Sequence, residues 1–360
     1  MKASVLLTAC YLGWLSADLR TLQQNAAQVV NLSQEQNSPG MLAFGHYFLG
    51  MVSYHQNDLS AAKTHFSFVH KRPYTAYDDS FVYSSCGLAL TFQSMGQEKE
   101  ALEVVHRVVD YLMKAGNSEM LLIIQAFQAE LALWQGQLTL ASQWANRIIP
   151  LLPLMPMPFF YAPHKTLPKL LLAENTPANQ EKAAALLVEL KGFLEFTHND
   201  VHLIETLALL ALYHEMKGEH AAALKSIKQA LTLGLPGRFI RVFADLGPDM
   251  EKLLSRLSMK EQEFANYRAE ILAAFAQETS QQASIQPEDN DVSQPSVESL
   301  TDREMDVLVL LSQRLTDKEI AGNLVIAHGT VRSHTKNIYA KLGVNNRRQA
   351  AVRAQELGLI

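Results

Sequence analysis

Through roughly the first 276 residues, apolar side chains recur three and four positions apart in one segment after another, the period of a buried helix face. The segments also follow a longer rhythm. A Gly or Asn, four residues and then a small residue opening a helix recur as NDLSAA ending at Ala62, GQEKEA at Ala101, GQLTLA at Ala141, NQEKAA at Ala184 and GEHAAA at Ala223, at spacings of 39, 40, 43 and 39. A weaker copy, ADLRTL, ends at Leu22, 40 residues before the first. Twelve residues ahead of each alanine stands another small residue, Gly50, Ala89, Ala129 or Ala211, with Leu172 the exception. Four residues after come Phe66, Val105, Ala145, Val188 and Ile227, one turn further along the same face. This pattern predicts helix hairpins that meet at small residues and cannot bury their apolar sides alone. Stacked, they form an all-α superhelix with a concave groove, a place for a small-molecule or protein effector.

The pattern resembles the tetratricopeptide repeat, although a period near 40 exceeds the usual value of about 34 and implies longer helices or loops. PLLPLMPMPFFYAP breaks the rhythm, because Pro150, Pro153, Pro156, Pro158 and Pro163 forbid a regular helix. Its aromatics Phe159, Phe160 and Tyr161 are expected to pack onto a neighbouring repeat rather than to wall a ligand site. His198, His202 and Glu205 have the spacing of one helix face. No Cys or further His follows at metal-site spacing, and Asp200 reads as a helix start, so no metal is expected.

Composition narrows the function. The chain is 48% hydrophobic and 19% charged, with only Cys10 and Cys86, which excludes a disulfide framework and fits a reducing cytoplasm. No apolar run reaches the ~20 residues of a membrane span. MKASVLLTACYLGWLSA has the look of an export signal, but Asp18, Leu19 and Leu22 continue its helical pattern. Phosphate-binding glycine loops, nucleophile elbows and metalloprotease motifs are all missing, so neither an enzyme nor a cofactor is expected. Charge is uneven: of the net -5, residues 301–360 carry nine Lys and Arg against six Asp and Glu, a small basic end on an acidic body. Between them, residues 277–299 hold five acidic residues and no Lys or Arg, and read as a flexible linker spanning roughly 25 Å as a coil.

The chain therefore divides into repeats over 1–276, the linker, and a third segment over 300–360. In that last segment LTDRE places Leu300, Thr301, Glu304 and Met305 as hydrophobic staple and capping box. LTDKE repeats the device with Leu315, Thr316, Glu319 and Ile320. A third helix is expected from Gly329 or Thr330 to Gly343, and a fourth from Asn346 to Gly358. The second and third, joined by a short turn, make a helix-turn-helix. Along the third, Val331, Ile338 and Leu342 point inward with Thr335 beside them, while Arg332 and Lys336 share another stripe with Ser333. Cations and short polar groups on one stripe suit the major groove of double-stranded DNA, where Arg and Lys donate to guanine O6 and N7. Thr330, His334 and Lys318 stand where they can hold phosphates.

The stretch LTDREMDVLVLLSQRLTDKEIAGNLVIAHGTVRSHTKNIYAKLGV resembles the LuxR-type DNA-binding domain. The resemblance implies a four-helix domain, a homodimer on DNA with residues 347–357 in its interface, and a role in regulating transcription, for which RNA polymerase is a possible partner. Ala327 stands where the family usually has a capping Ser, a loss of about 1 kcal/mol to the third helix. Repeats followed by such a domain resemble the C-terminal part of MalT-like regulators, which sense small inducers. The longer members carry an ATP-binding domain before the repeats, and ATP dependence is not carried over to this sequence. The competing expectation is a repeat scaffold that holds a protein partner, with DNA binding secondary or lost.

Overall fold

The computed structural model describes residues 2–148, 158–257, 261–284, 302–312, 315–324, 328–342, 344 and 346–356. The chain forms two compact units, Met1–Gln286 and Pro287–Ile360, and the described residues hold helices and no strand. No described helix is long and apolar enough to cross a membrane.

The described residues of unit 1 form a run of six helix hairpins: α1 (Lys2–Leu15) with α2 (Leu19–Glu35), α3 (Pro39–His55) with α4 (Leu59–His70), α5 (Asp78–Ser94) with α6 (Glu98–Ala115), α7 (Ser118–Trp134) with α8 (Leu138–Ile148), α9 (Thr166–Glu174) with α10 (Pro177–Phe196), and α11 (Asp200–Met216) with α12 (His220–Gly234). In every copy but the fourth, the residue that opens the recurring motif is the left-handed residue that ends the first helix. Ala17, Asn57, Gly96, Gly136 and Gly218 all have φ between 55° and 74°. After each, the next amide donates to the carbonyl five residues back, as from Asp58 to Ser53 at 2.8 Å and from Glu219 to His214 at 2.8 Å. Asp18 and Asp58 then cap the second helix, accepting from the amides of Thr21 and Ala61 at 3.0 Å. Thus Asp18 sits in a turn instead of continuing the helix of residues 2–15.

The small residues do what their spacing implies. Ala62, Ala101, Ala141 and Ala223 are 0% exposed, as are Ala89, Ala129 and Ala211 opposite them. The fourth copy departs from the predicted register. There Thr176, not Asn179, starts the second helix, because Pro177 fits its first turn and Asn175 takes the left-handed turn at φ 52°. The helix begins earlier, so Ala183 and Leu187 face inward at 0% while Val188 is 61% exposed.

Beyond α12 the chain folds back as a strap, continuing through α13 (Arg241–Ala244), α14 (Pro248–Ser255) and α15 (Gln262–Ser284). The amide of Ile240 donates to His55 O at 2.7 Å. Arg241, 1% exposed, pairs with Asp245 and donates to Ser94 Oγ at 2.8 Å. Tyr54 donates to Asp245 at 2.8 Å and the Trp134 indole donates to its carbonyl at 3.1 Å. The strap thus ties the last turns of α3, α5 and α7, and α1 packs against α11. The aromatic trio packs onto neighbouring repeats, although Phe160 and Tyr161 also line a cavity: Phe159 stacks on Tyr83 with centroids 4.4 Å apart, and the Phe160 amide donates to Tyr47 at 2.9 Å. Helix α15 runs through Ser284, eight residues into the segment read as linker, since its Gln, Glu and Ala are sound helix formers and no Pro stands before Pro287. The rest of that segment, and Pro150, Pro153 and Pro156, lie outside the described residues.

Close packing between hairpins is tightest at Phe66, whose ring is pinched by two glycines. An added Cβ would stand 2.6 Å from it at Gly50 and 2.4 Å at Gly87, whereas Gly192, inside α10, has nothing within 4 Å. Gly50→Ala is therefore expected to lose about 1 to 3 kcal/mol by overpacking. Gly192→Ala should gain about 0.5 to 1 kcal/mol from helix propensity. Urea unfolding followed by tryptophan fluorescence reads both, and equal effects of one sign would refute this packing account.

Candidate functional site

Unit 2 consists of α16 (Asp302–Ser312), α17 (Asp317–Leu324), α18 (His328–Leu342) and α19 (Arg347–Glu356) around a small core of its own. The LTDKE box is formed in full: Glu319 accepts from the Thr316 amide at 2.7 Å, and the Glu319 amide donates to Thr316 Oγ1 at 3.4 Å. Its hydrogen bonds to Thr316 hold the Glu319 carboxyl below its ordinary value. Leu315 packs on the core and Ile320 is 0% exposed, completing the staple. Asn346 caps α19, accepting from the Gln349 amide at 2.9 Å. Helix α18 begins at His328, one residue before the earlier of the two expected starts, Gly329 and Thr330. Thr301, Ala327 and Gly343 lie outside the described residues.

Helix α18 is two-sided. Val331, Ile338 and Leu342 are buried against α16, α17 and α19, and Thr335 turns its hydroxyl back onto Val331 O at 2.9 Å. Thr330, Arg332, Ser333 and Lys336 are exposed and His334 is half-buried at the edge of the face. Lys318 is exposed in the first turn of α17. A cation there is disfavoured by the positive end of the helix dipole, so α17 itself does not explain it. Sequence reasoning missed Asn337. It is exposed four residues after Ser333, on the same stripe.

Two other basic residues are not part of this face. Lys341 turns inward to Glu304 at 2.8 Å, with side chains 16% and 4% exposed, and so locks α18 to α16. Arg347 reaches Asp317 at 3.2 Å, tying α19 to the start of α17. The box role expected for Glu304 depends on Thr301, outside the described residues, and gave no sign that its carboxylate serves α18.

In unit 1 the inner helices converge on a buried ionic network. Lys165 pairs with Glu205, and Lys169 with both Glu130 and Glu205. Thr166 donates to Glu130 at 2.5 Å and shares a 2.8 Å bond with Tyr161. Burial opposes ionisation of Glu205, but Lys165 and Lys169 hold its carboxyl well below the ordinary range. Burial lowers Lys165 despite its carboxylate partner, whereas the two carboxylates outweigh burial at Lys169 and raise it. His202, neutralised by burial, lies 3.2 Å from Lys165 and donates to Phe159 O at 2.9 Å. His202 and Glu205 are thus brought together on an ammonium. His198 stands outside α11, in the left-handed turn before it, and no metal-holding group of three occurs among the described residues.

Comparison with known proteins bears on both units. Residues 17–260 match the family model for the MalT-like TPR region. The chain belongs to the MalT-like TPR family. In this member, the matched region takes in α2 through α14, leaving α1 and α15 outside it. Residues 298–354 match the model for bacterial regulatory proteins of the luxR family. The HTH-type transcriptional regulator MalT of Vibrio cholerae is 30% identical over 164 residues, 42% of this chain and 18% of that protein. The transcriptional regulatory protein LnrK of Bacillus subtilis is 42% identical over 71 residues, 19% of this chain and 32% of that protein. The DNA-binding transcriptional activator DevR/DosR of Mycobacterium tuberculosis is 45% identical over 64 residues, 18% of this chain and 30% of that protein. The chain spans less than a third of the length of each of these relatives. The second unit of this MalT-like chain is thus a LuxR-type helix-turn-helix domain.

The Glu304 and Lys341 pair makes a testable demand on that domain. Lys341→Met takes the ammonium away from a carboxylate that is 4% exposed, and should cost about 3 kcal/mol. Hydrogen exchange of α16 and α18 amides should then quicken by about a hundredfold. The double variant Glu304→Leu with Lys341→Met should recover most of the protection; no difference between single and double variants would contradict a coupled pair.

Proposed function

We propose that this MalT-like chain is a transcription regulator that binds double-stranded DNA through unit 2 and senses a small molecule or protein partner with its repeats. The observation that carries the reading is the two-sided α18, anchored by Val331, Ile338 and Leu342 and presenting Arg332, Ser333, Lys336 and Asn337 to solvent. In the major groove Arg332 and Lys336 donate to guanine O6 and N7, and Asn337 pairs with adenine. Thr330, His334 and Lys318 hold phosphates and set the register. The amide end of α17 adds its dipole to Lys318 there.

The chain acts as a homodimer on DNA. Val352, 48% exposed on α19, supplies apolar surface for that contact. Effector binding to the repeats changes their association and thereby the effective concentration of the second DNA-binding unit at an adjacent half-site. Contact with RNA polymerase would follow from the regulatory role, and the site of action is the cytoplasm.

Titrating duplex DNA at several salt concentrations separates the assigned roles. Lys318→Ala should weaken all sequences alike and reduce the salt slope by about 1, whereas Arg332→Ala and Lys336→Ala should each cost about 1 to 3 kcal/mol on preferred DNA and flatten the preference. Full binding and full preference in both α18 variants would remove α18 from the groove. Absence of DNA binding by the folded parent would favour the scaffold reading.

A further inference from the structure

The strap reads one position of successive repeats. Trp14, Tyr54, Ser94 and Trp134 stand 40 residues apart, each in the last turn of its helix or just before it. Tyr54, Ser94 and Trp134 all bond to Arg241 or Asp245. Trp14 does not. Its indole N–H has no hydrogen-bond partner although the residue is 0% exposed, and both ring nitrogens of neighbouring His55 are buried and unpartnered too. Buried polar groups in native proteins are nearly always paired, so three such atoms at one spot point to something that binds there.

Trp14 and His55 line a chamber of about 50 Å³ together with Phe160 and His202. It has room for roughly three or four water-sized groups. Its ionic groups are already matched: Lys165 and Lys169 against Glu130 and Glu205, and Asp245 against Arg241. A charged newcomer would leave one charge buried without compensation. The requirement is therefore an uncharged group that accepts from the Trp14 indole and both donates to and accepts from the His55 ring, which burial keeps neutral.

A second cavity of about 520 Å³ shares Trp134, Lys169 and Asp245 with the chamber. Its volume is that of a small-molecule site. Leu133, Leu209, Leu212, Met216 and Leu246 make its wall largely apolar. At its rim, Lys252 and Arg256 are spoken for by Asp249 and Glu215. We infer that the two cavities together take an amphiphilic small molecule, with an uncharged amide- or hydroxyl-type head against Trp14 and His55 and a short apolar body in the larger cavity. This deepens the sensor reading, on which its regulatory meaning rests, but binding itself needs no DNA.

Hexanamide, hexanoate and hexylammonium share one body and differ in the charge of the head. Titrated into the full chain, hexanamide should change the fluorescence of Trp14 and Trp134 saturably, and the two ions should bind at least about tenfold more weakly, the discrimination expected where a charge would be buried unpaired. Trp14→Phe keeps an aromatic ring and loses the donor, with Trp134 left as the reporter that lines the site. It should weaken hexanamide by about three- to tenfold, one hydrogen bond's worth, while circular dichroism stays that of the parent. The inference is overturned if hexanamide does not saturate, if either ion binds as well, or if a folded Trp14→Phe variant binds unchanged. Should that variant fail to fold, the ordering of the three compounds on the parent still decides. DNA affinity in the same samples keeps the two readings apart. Hexanamide binding with DNA affinity unmoved would count against the sensor and leave the site, whereas DNA binding without hexanamide binding would count against the site and leave the regulator.

Discussion

Close approach of helices at a small residue, repeated every 39 to 42 residues, is the constraint on which unit 1 depends. Each hairpin has two apolar sides and can bury only one of them internally, so the next hairpin must lie against it. Ala62, Ala101, Ala141, Ala183 and Ala223, all 0% exposed, let this happen without a gap. Where the approach is closest, the side chain is given up altogether, as at Gly50 and Gly87 around the Phe66 ring. Rigid stacking in turn brings equivalent positions of distant repeats into line. That is why one short strap bonds to residues 54, 94 and 134 at once, and why Lys165, Lys169, Glu130 and Glu205 meet on the inner side.

Unit 2 solves a different problem with the same means. Sixty residues bury little apolar surface. Among the described residues its helices are therefore held by capping at Thr316 and Asn346 and by the ion pairs of Glu304 with Lys341 and of Asp317 with Arg347. These contacts use up the inward and flanking charges. What α18 has left over is a stripe of exposed donors, Arg332, Ser333, Lys336 and Asn337, with no structural task inside the unit. On the proposed function, this stripe is held by a rigid helix in a form preorganised to read a polar groove.

Much of this was legible in the residues, because repeats, caps and helix stripes are local or periodic signals. The hairpin turns followed from Asn57, Gly96, Gly136 and Gly218, and the inward stripe of α18 from Val331, Ile338 and Leu342. The fourth repeat was misread by one position because Thr176 and Pro177 outcompete Asn179 as a helix start, a contest decided by proline geometry and not by the repeat. Helix α15 ran past the expected boundary since charge and low hydrophobicity do not stop a helix that has no breaker. The inward turn of Lys341 and the exposure of Asn337 depend on how α18 rolls against α16. The strap was invisible, since its bonds join residues more than a hundred positions apart and leave no local trace.

The claim at the centre of the account is that unit 2 reads DNA sequence as part of a two-fold assembly. Selection of bound duplexes from a random pool by the full chain tests it most directly. The account predicts enrichment of sites with two related half-sites about one helical turn, or 10 bp, apart. Recovery of a pool no different from the starting one, by chain whose helical content is intact, would contradict it.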